Sequence, residues 1–515
     1  MKSFMNTVKL QRSPRSYFDL SHDRKFSMRM GELTPSVVID CVPDDRITMS
    51  TTQMFRMAPL VAPIMHRVDV RTEYFKVPLR IMWDGAEDFF TGVTPQPVSP
   101  FIRVNWKLVA GDLLDYLGIP IGDYSSAPLT ISAFPVSAYF MVHNEYYRDE
   151  NLQPDMDWSL SDGDNTALFL PYISPAGTNN ARCFKRCWEK DLFTSALPFK
   201  QKGAAVTMPL GNTAPVRYAA DGEPSVIKSV TGVLLPGPGA INYDALGHIA
   251  GAIPASIDNS DQLYVDLANA NSATVEAFRL ANVLQRYLER KAIGGTRYTE
   301  FIKSIFGVTS SDSRLQRPEY LGGGKSPISI SEVLQTSETS TSPQGNIAGH
   351  GVNVGNNRSF STQFEEWGYI IGMVSVMPQT AYFQGLEKHW SRFDPLQYLN
   401  PMFAHLGEEG ITNKEVYVDH LTAVNRDKIF GYQRRFYEYC TKLSSVHGEF
   451  LTTQSYWHMA RRFSSQPALN SNFVECTPTT DIFAVTEGVD TMYCHMFHNI
   501  KALRQLPLYG TPSTV

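Results

Sequence analysis

Alternating apolar and polar positions recur along the chain and predict β-strands. In residues 68–74 (VDVRTEY), apolar or β-branched side chains alternate with Asp, Arg and Glu, which is the period of a strand with one buried face. Residues 369–377 (YIIGMVSVM) are largely apolar and predict a central strand of a sandwich. Residues 36–42 and 46–50 flank a Pro-Asp-Asp turn and predict a hairpin. Further strands are expected at 205–209, 226–235, 415–419 and 482–485.

Helix signals are fewer and do not alternate regularly with the strand signals. Residues 273–293 carry apolar side chains at helical spacing and end at a Gly-Gly pair, a common helix stop. Residues 299–306 predict a short helix closed by glycine, and Asp394-Pro395 and Asn400-Pro401 each join a capping side chain to proline at the first helical position. The pattern favours a mainly β sandwich or jelly roll with long insertions over a doubly wound sheet.

Two segments differ from the rest in composition. Residues 212–271 are rich in Gly, Pro, Ala and Ser and poor in charge, and loops of that length are usually functional or disordered. Residues 335–361 are rich in Ser, Thr, Gly and Asn and predict an extended surface arm or linker.

Composition limits the class of protein. The chain has 515 residues, of which 19% are charged and 12% aromatic; so few charges suit either a surface covered by neighbouring subunits or simply a large core. The net charge of −5 excludes a protein that binds nucleic acid through overall basicity, so any DNA contact is local or shared with a basic partner. The clearest basic patch is the N-terminus, which reads either as a DNA-facing arm or as a solvated terminus.

Six cysteines in a chain of this length form no short disulfide framework, so we expect reduced thiols in a protein made in a cytoplasm. The N-terminus lacks the apolar stretch of a secretory signal, and no run is long enough to span a bilayer. We therefore expect a soluble chain with no membrane insertion.

No motif in the chain predicts catalysis or a cofactor. Gly324-Lys325-Ser326 lacks the first glycine of a phosphate loop and is followed by proline. Ser21-His22-Asp23 are adjacent and cannot stack as a triad. Cys494, His495 and His498 resemble metal ligands more closely, yet their spacing matches no zinc motif, and structural burial is the favoured interpretation. We expect no catalytic residues, no metal and no cofactor.

Several motifs in a fixed order resemble one protein family. They are FDLSHD at 18–23, MAPLVAPIMHRVDV at 57–70, NEYYRDENL at 144–152, SALPFKQKGAAVTMPLG at 195–211 and the stretch containing GGTRY and RLQRPEYLGGG at 290–324. Together they resemble the major capsid proteins of the Microviridae, small single-stranded-DNA phages, and most closely the gokushovirus branch. Residues 212–271, the Ser/Gly arm and the extreme termini lie outside the likeness.

The resemblance implies an eight-stranded jelly roll, the viral capsid β-sandwich, with long loop and helical insertions. Subunits would form homopentamers and then a T=1 icosahedral shell of 60 copies around a circular single-stranded DNA genome. The implied partners are an internal scaffolding protein, a DNA-pilot minor protein, a small basic DNA-binding protein and a host surface receptor. The virion would be assembled in the bacterial cytoplasm, and an insertion would form a protrusion at the three-fold axes.

The resulting domain organisation has six parts. They are a basic N-terminal arm at 1–30, the first part of the jelly roll at 31–211, a surface insertion at 212–271, a helical and contact segment at 272–333, the Ser/Gly-rich arm at 334–363 and the last part of the jelly roll at 364–515.

Candidate residues follow from these parts. Arg and Tyr concentrate interface energy, so subunit contacts, or the bracing of contact loops, are expected at Arg297, Tyr298, Arg317, Glu319 and Tyr320. DNA-facing candidates in the arm are Lys2, Lys9, Arg12 and Arg15. Apolar residues too numerous for a free loop are expected to pack within the protrusion, namely Leu234, Leu235, Ile241 and Ile253.

A second function stays open at this point. A carbohydrate-binding or carbohydrate-cleaving β-sandwich would share the strand pattern. It would need carboxylates opposed across a cleft or an aromatic platform, and the sequence contains no motif for either.

Overall fold

A computed structural model describes residues 14–176, 181–207, 216–220, 223–226, 263–265, 275–336, 344, 347–421, 423–485 and 489–509. The chain divides into two compact units, one of residues 1–200 with 295–515 and the other of residues 201–294.

The strands of the described residues are β1 (Ser16–Asp19), β2 (His22–Met28), β3 (Thr34–Cys41), β4 (Arg46–Met57), β5 (Val68–Pro78), β6 (Phe101–Val104), β7 (Lys107–Leu108), β8 (Gly122–Asp123), β9 (Leu129–Ser132), β10 (Val216–Ala220), β11 (Glu223–Val226), β12 (Leu263–Val265), β13 (Glu319–Pro327), β14 (Ser329–Leu334), β15 (Ile347–Asn356), β16 (Phe360–Gln363), β17 (Gly368–Pro378), β18 (Glu408–Thr412), β19 (Ile429–Arg434) and β20 (Met492–Arg504).

The α-helices are α1 (Leu79–Met82), α2 (Ala86–Thr91), α3 (Leu113–Tyr116), α4 (Phe134–Val142), α5 (Thr166–Ile173), α6 (Val275–Ile293), α7 (Tyr298–Phe306), α8 (Asn413–Val416) and α9 (Ser471–Val474). A π-helical turn spans His143–Tyr147. Short 3₁₀ helices span Ser313–Leu315, Lys388–Ser391, Pro395–Gln397, Pro401–Phe403, Tyr437–Tyr439, Gly448–Leu451 and Ser455–Trp457.

Two antiparallel sheets form the centre of the first unit. The seven-stranded sheet has the order β1-β20-β4-β15-β14, with β2 pairing β20 and β16 pairing β4. The four-stranded sheet has the order β13-β5-β17-β3. Side chains from both sheets share buried clusters, such as Phe55 and Met496 of the larger sheet with Val70 and Val376 of the smaller. The two sheets therefore pack face to face as a sandwich.

The outer face of the four-stranded sheet is also covered. Residues of α1, α3, α4 and α5 form one buried cluster with Phe75, Val77, Ile371 and Met373 of that sheet. Helix α4 is buried along almost its whole length, and the hydroxyl of Tyr139 in α4 donates to the Leu33 carbonyl at 2.9 Å. The helical insertion after β5 thus forms a third layer. This layer explains why β5 and β17 carry apolar side chains on both faces.

The second unit contains β10, β11, β12 and α6. Strand β10 pairs antiparallel with β11 and β12. Helix α6 ends in a basic last turn with Arg290 and Lys291, and the Gly294 amide donates to the Arg290 carbonyl at 2.9 Å. The unit includes the segment 212–271 that differs in composition from the rest of the chain.

The structure confirms the most regular sequence predictions. Strand β17 lies between β5 and β3 and is buried on both faces. Helices α6 and α7 match the two predicted helices, and α7 ends at Gly307, whose φ of 71° is the left-handed conformation that glycine tolerates. Asp394 and Asn400 cap helices as expected, each accepting from a backbone amide two residues on. Those helices are single 3₁₀ turns.

The predicted hairpin at 36–50 is wrong. Strand β3 pairs with β17 in the smaller sheet, while β4 pairs with β20, β15 and β16 in the larger one. The turn therefore carries the chain from one sheet to the other. Asp45 is fully buried there and accepts from the Val42 amide at 3.0 Å. Alternation shows which face of each strand is buried, but it does not choose the pairing partner.

Three other predictions differ from the structure. Residues 413–416 form helix α8 instead of a strand, because Thr412 and Glu415 make a capping box. Residues 482–485 contain only an isolated bridge, at Phe483. The interpretation of 335–361 as a linker is wrong for 347–356, which is β15 in the larger sheet. Glycine allows this close packing: a Cβ on Gly349 would lie 2.5 Å from the Ala62 carbonyl oxygen.

The predicted strands at 205–209 and 226–235 are only partly described. Residues 205–207 are not in a strand, and Val226 ends β11. Residues 208–209 and 227–235 lie outside the described residues.

Candidate subunit-contact site

Arg297 of the GGTRY motif contacts the NEYYRDENL segment of its own chain. Its Nη2 donates to the carbonyls of Asn144 and Arg148 at 3.0 and 3.2 Å, and its Nη1 lies 2.7 Å from Glu150 Oε1. Burial raises the pKa of Glu150, and the Arg297 charge opposes that rise. Arg297 therefore satisfies carbonyls at the end of the π-helical turn, where the helix itself has no donors left.

Arg317 is held in the same way on the other side of this turn. The guanidinium lies over the Tyr146 ring at 4.5 Å, its Nε is 3.3 Å from Asp312 Oδ1, and its Nη1 donates to Thr299 Oγ1 at 3.1 Å. Only 12% of the side chain is exposed. Arg317 thus joins the segment before β13 to the start of α7 and to the π-helical turn.

Glu319 and Tyr320 open β13 at the edge of the smaller sheet. Glu319 lies opposite Lys76 and its carboxylate is 3.3 Å from the Lys76 ammonium. Tyr320 lies opposite Phe75, with ring centroids 5.6 Å apart, yet half of Tyr320 is exposed. The glycines that follow allow close approach: a Cβ on Gly323 would lie 2.4 Å from the Thr72 carbonyl oxygen.

The five contact candidates therefore have two different environments. Arg297, Arg317 and Glu319 form ion pairs within the chain, whereas Tyr298 and Tyr320 present 67% and 50% of their surface to solvent. The arrangement can hold exposed aromatic rings on a braced backbone. Sequence motifs that are far apart in the chain, NEYYRDENL and GGTRY–RLQRPEYLGG, are brought together here.

The other candidates are only partly within the described residues. Lys2, Lys9 and Arg12 lie outside them, as do Leu234, Leu235, Ile241 and Ile253. Arg15 forms an ion pair with Asp44, and 43% of its side chain is exposed. The region predicted as a basic arm also contributes β1 and β2 to the larger sheet.

The cysteine and histidine residues near the C-terminus lie in β20 and its surroundings. Cys494 and His498 face the core, whereas His495 points to the opposite face and its Nε2 lies 2.8 Å from Asp23 Oδ1. His498 contacts Thr51 Oγ1 at 3.0 Å. In the described part of the chain, no cluster of three His, Cys, Asp or Glu side chains could hold a metal ion.

Sequence reasoning missed an exposed apolar surface on residues 390–406, here called the apolar segment. Its large side chains are exposed to a degree that is unusual for a folded monomer: Phe393 is 88% exposed, Met402 82%, Trp390 66% and Leu406 63%. The segment contains short 3₁₀ turns, which have no extended apolar period, so composition was the only signal available.

Two cations with mostly covered side chains brace the apolar segment. The Arg392 side chain is 8% exposed, pairs with Glu438 and lies 4.5 Å from the Tyr439 ring and 5.5 Å from the Tyr398 ring. Lys388 Nζ is 2.9 Å from Glu409 Oε1 and 4.7 Å from the Tyr437 ring centre. The exposed side chains therefore project from a backbone that is already ordered, which lowers the entropic cost of a contact.

A family model described as capsid protein (F protein) matches residues 6–514. The chain belongs to this capsid protein family. The protein is accordingly a structural component of a phage virion and not an enzyme, and the carbohydrate-cleaving alternative is wrong. None of the helices that the structure describes is long and apolar enough to cross a membrane.

Individual capsid proteins of other phages match this chain over nearly its full length. This capsid protein is 35% identical to capsid protein VP1 of Bdellovibrio phage phiMH2K, covering 97% of this chain and 95% of that one. It is 31% identical to capsid protein VP1 of Chlamydia phage 1, covering 99% and 98%. It is 29% identical to capsid protein VP1 of Spiroplasma virus 4, covering 97% and 95%. The resemblance to gokushovirus capsid proteins is confirmed.

Proposed function

We propose that this capsid protein forms pentamers, then a T=1 shell of 60 copies around a circular single-stranded DNA genome. The apolar segment is the observation that carries the proposal. A capsid protein must cover its exposed apolar surface with further copies of itself, and Phe393 and Met402 project from a backbone braced by Arg392. Such rigid, exposed anchors are typical of the centre of a protein–protein contact.

We also propose that the sandwich is an eight-stranded jelly roll. Its strands in chain order would be β2, β3, β4, β5, β13, β15, β17 and β20. Numbered one to eight, they pair in the order 1-8-3-6 in the larger sheet and 2-7-4-5 in the smaller one. This interleaving of sequentially distant strands in two facing sheets supports a jelly roll over a simple meander.

The insertion and the contact motif have proposed roles as well. Residues 212–271 form the outward protrusion that contacts the host receptor; their inclusion in a separate compact unit, 201–294, supports an independent element. Tyr298 and Tyr320 contribute to subunit contacts, while Arg297, Arg317 and Glu319 brace them. The N-terminal residues Lys2, Lys9, Arg12 and Arg15 contact the genome. An internal scaffolding protein, a DNA-pilot protein and a small basic DNA-binding protein complete the proposed partners.

The assembly role is tested by removing the apolar anchors. The double variant Phe393→Ser, Met402→Ser changes two side chains that make little contact within the subunit, so the subunit should fold with an unchanged urea midpoint. Each anchor of this kind contributes ~2 kcal/mol or more to association, so particle yield by sedimentation should fall at least about tenfold.

Val109→Ser is the matched control, because Val109 is 46% exposed and lies outside the apolar segment. It should assemble normally. Wild-type particle yield from the double variant, or an equal loss in the control, would refute the role of the apolar segment.

A further inference from the structure

The outer face of the seven-stranded sheet is open to solvent and has its own chemistry. Strands β4 and β20 alternate strictly, with one set of side chains buried in the sandwich and the other set exposed. We call the exposed set, together with the outward residues of β2, the open face. The helical insertion covers the corresponding face of the smaller sheet, whereas Arg46, Thr52 and Arg56 on the open face are exposed.

Two aromatic rings stand on the open face. Tyr493 and Phe497 are 44% and 41% exposed although they lie in the middle of the sheet. They are four residues apart on β20, so they share one face and are separated by about 13 Å. The exposed part of each ring offers a surface on which a nucleobase can stack.

Basic side chains share the open face with these rings. Arg56 lies directly opposite Tyr493, and Lys25 lies opposite His495, the residue between the two rings. Arg46 is exposed at the other end of β4, about 33 Å away from Arg56. The carboxylates on this face are themselves held: Asp23 contacts His495 at 2.8 Å, and Asp19 lies 3.5 Å from Lys501. Lys25 and Arg56 therefore leave a positive excess beside the rings, and Arg46 adds a positive charge farther along β4.

This combination favours a single-stranded nucleic acid over a second protein copy. Between the rings and cations the open face carries small polar side chains, including Thr48, Thr52 and Asn499, and the partly exposed Met54, which lies opposite His495. Charged residues are depleted at the centre of subunit-association surfaces, whereas Arg56 lies directly opposite Tyr493 here. A duplex would hide its base faces, so exposed rings point to unpaired bases.

We propose that the open face binds single-stranded DNA, with Tyr493 and Phe497 stacking on bases and Lys25, Arg46 and Arg56 contacting phosphates. The inference rests on the proposed role of enclosing a single-stranded genome, and it locates the contact surface. Lys2, Lys9 and Arg12 precede β1 in sequence, and β1 pairs with Lys501–Arg504 of β20 through residues 16–19. Strand β1 therefore lies beside the open face, and the sequence before β1 contains the other basic residues that are proposed to contact the genome.

The test is a titration of the purified full-length protein with fluorescent oligo(dT) of about 20 nucleotides at several salt concentrations. Tyr493→Thr with Phe497→Thr removes both rings and replaces them with β-branched residues, which are compatible with a strand. Base stacking contributes about fivefold or more per ring, so affinity should fall at least about tenfold, with an unchanged salt slope.

The charge variant Lys25→Gln, Arg46→Gln, Arg56→Gln should behave differently. Removing three phosphate contacts should lower the slope of log affinity against log salt by about two, because each contact to single-stranded DNA releases about 0.7 of a counterion. Leu421→Thr with Lys442→Gln is the control and should change neither quantity, because both side chains are exposed and lie outside the open face and the apolar segment.

Affinity and salt slope within twofold of wild type in both open-face variants would overturn the proposal, and so would an equal loss in the control. Measuring particle yield distinguishes a failure of DNA binding by the open face from a failure of shell assembly. Ring variants that form DNA-filled particles and bind oligo(dT) normally would refute the open face alone. Loss of particle formation in the Phe393→Ser, Met402→Ser variant would concern assembly alone. The titration uses free subunits and therefore tests DNA binding by the open face independently of assembly.

Discussion

The two sheets of the sandwich share one core but differ in what covers their outer faces. The smaller sheet is covered by the helical insertion, so β5 and β17 are buried on both sides. Among the residues that the structure describes, no such layer covers β4 and β20 of the larger sheet, which alternate between buried and exposed positions. The first arrangement adds stability, whereas the second leaves a regular array of side chains free to contact another molecule.

The largest expected effect of this difference is on stability. Phe75 is 2% exposed in the helical core and packs against Tyr146 with ring centroids 4.7 Å apart, so Phe75→Ala should cost about 3–5 kcal/mol. Thr52→Val, on the open face, should stay within about 0.5 kcal/mol. Urea unfolding of the purified subunits measures both. Similar losses in the two variants would show that the open face is covered in the free subunit.

A smaller effect should appear on acidification, because a histidine is buried between the sheets. Burial lowers the pKa of His498 to about 4, and the neighbouring His22 adds to this shift. The unfolded chain binds this proton near pH 6.5 and the folded chain does not, so stability is full above that pH. Roughly 3 kcal/mol should be lost as the pH falls towards 4.

His498→Gln keeps a side-chain amide within reach of the Ser36 carbonyl, which His498 Nε2 contacts at 3.2 Å. Urea midpoints at pH 7 and pH 4.5 should converge more closely in this variant than in the wild type. Equal pH dependence in both proteins would exclude His498 as the group responsible.

Substitutions in the contact motif should have the smallest effect on stability. Arg317→Ala removes contacts to Tyr146 and Asp312 and should destabilise the subunit by about 1–3 kcal/mol. Tyr298→Ala, at a 67% exposed position, should leave the urea midpoint unchanged and lower particle yield. A stable Arg317→Ala subunit that fails to assemble would instead place Arg317 in the subunit contact.

The sequence predicted the elements whose period is uniform, and the reasons for its failures are physical. The alternation at 68–74 indicated one buried face, but β5 is buried on both. Its charged positions are accommodated by partners remote in sequence: Arg186 Nη1 lies 2.7 Å from Glu73, and Arg71 pairs with Glu189. Those pairs and the covering helices depend on tertiary packing, which no local pattern contains.

In the candidate site, too, local sequence patterns indicated the segments but not their tertiary contacts. The density of Arg, Tyr and Gly indicated a specialised segment around GGTRY, yet it did not reveal that Arg297 and Arg317 hold the NEYYRDENL turn. The apolar segment escaped notice because its 3₁₀ turns have no long period. The open face followed from the strand pairing, since β2, β4 and β20 are remote in sequence and meet only in the sheet.

Hydroxyl-radical footprinting of free subunits, empty shells and DNA-filled particles distinguishes the apolar segment from the open face. Phe393 and Met402 should be protected in both kinds of particle, because protein covers them. Tyr493 and Phe497 should be protected only in DNA-filled particles. Equal modification of Tyr493 and Phe497 in filled and empty particles would contradict a nucleic-acid role for the open face, and full modification of Phe393 in the shell would contradict the assembly role of the apolar segment.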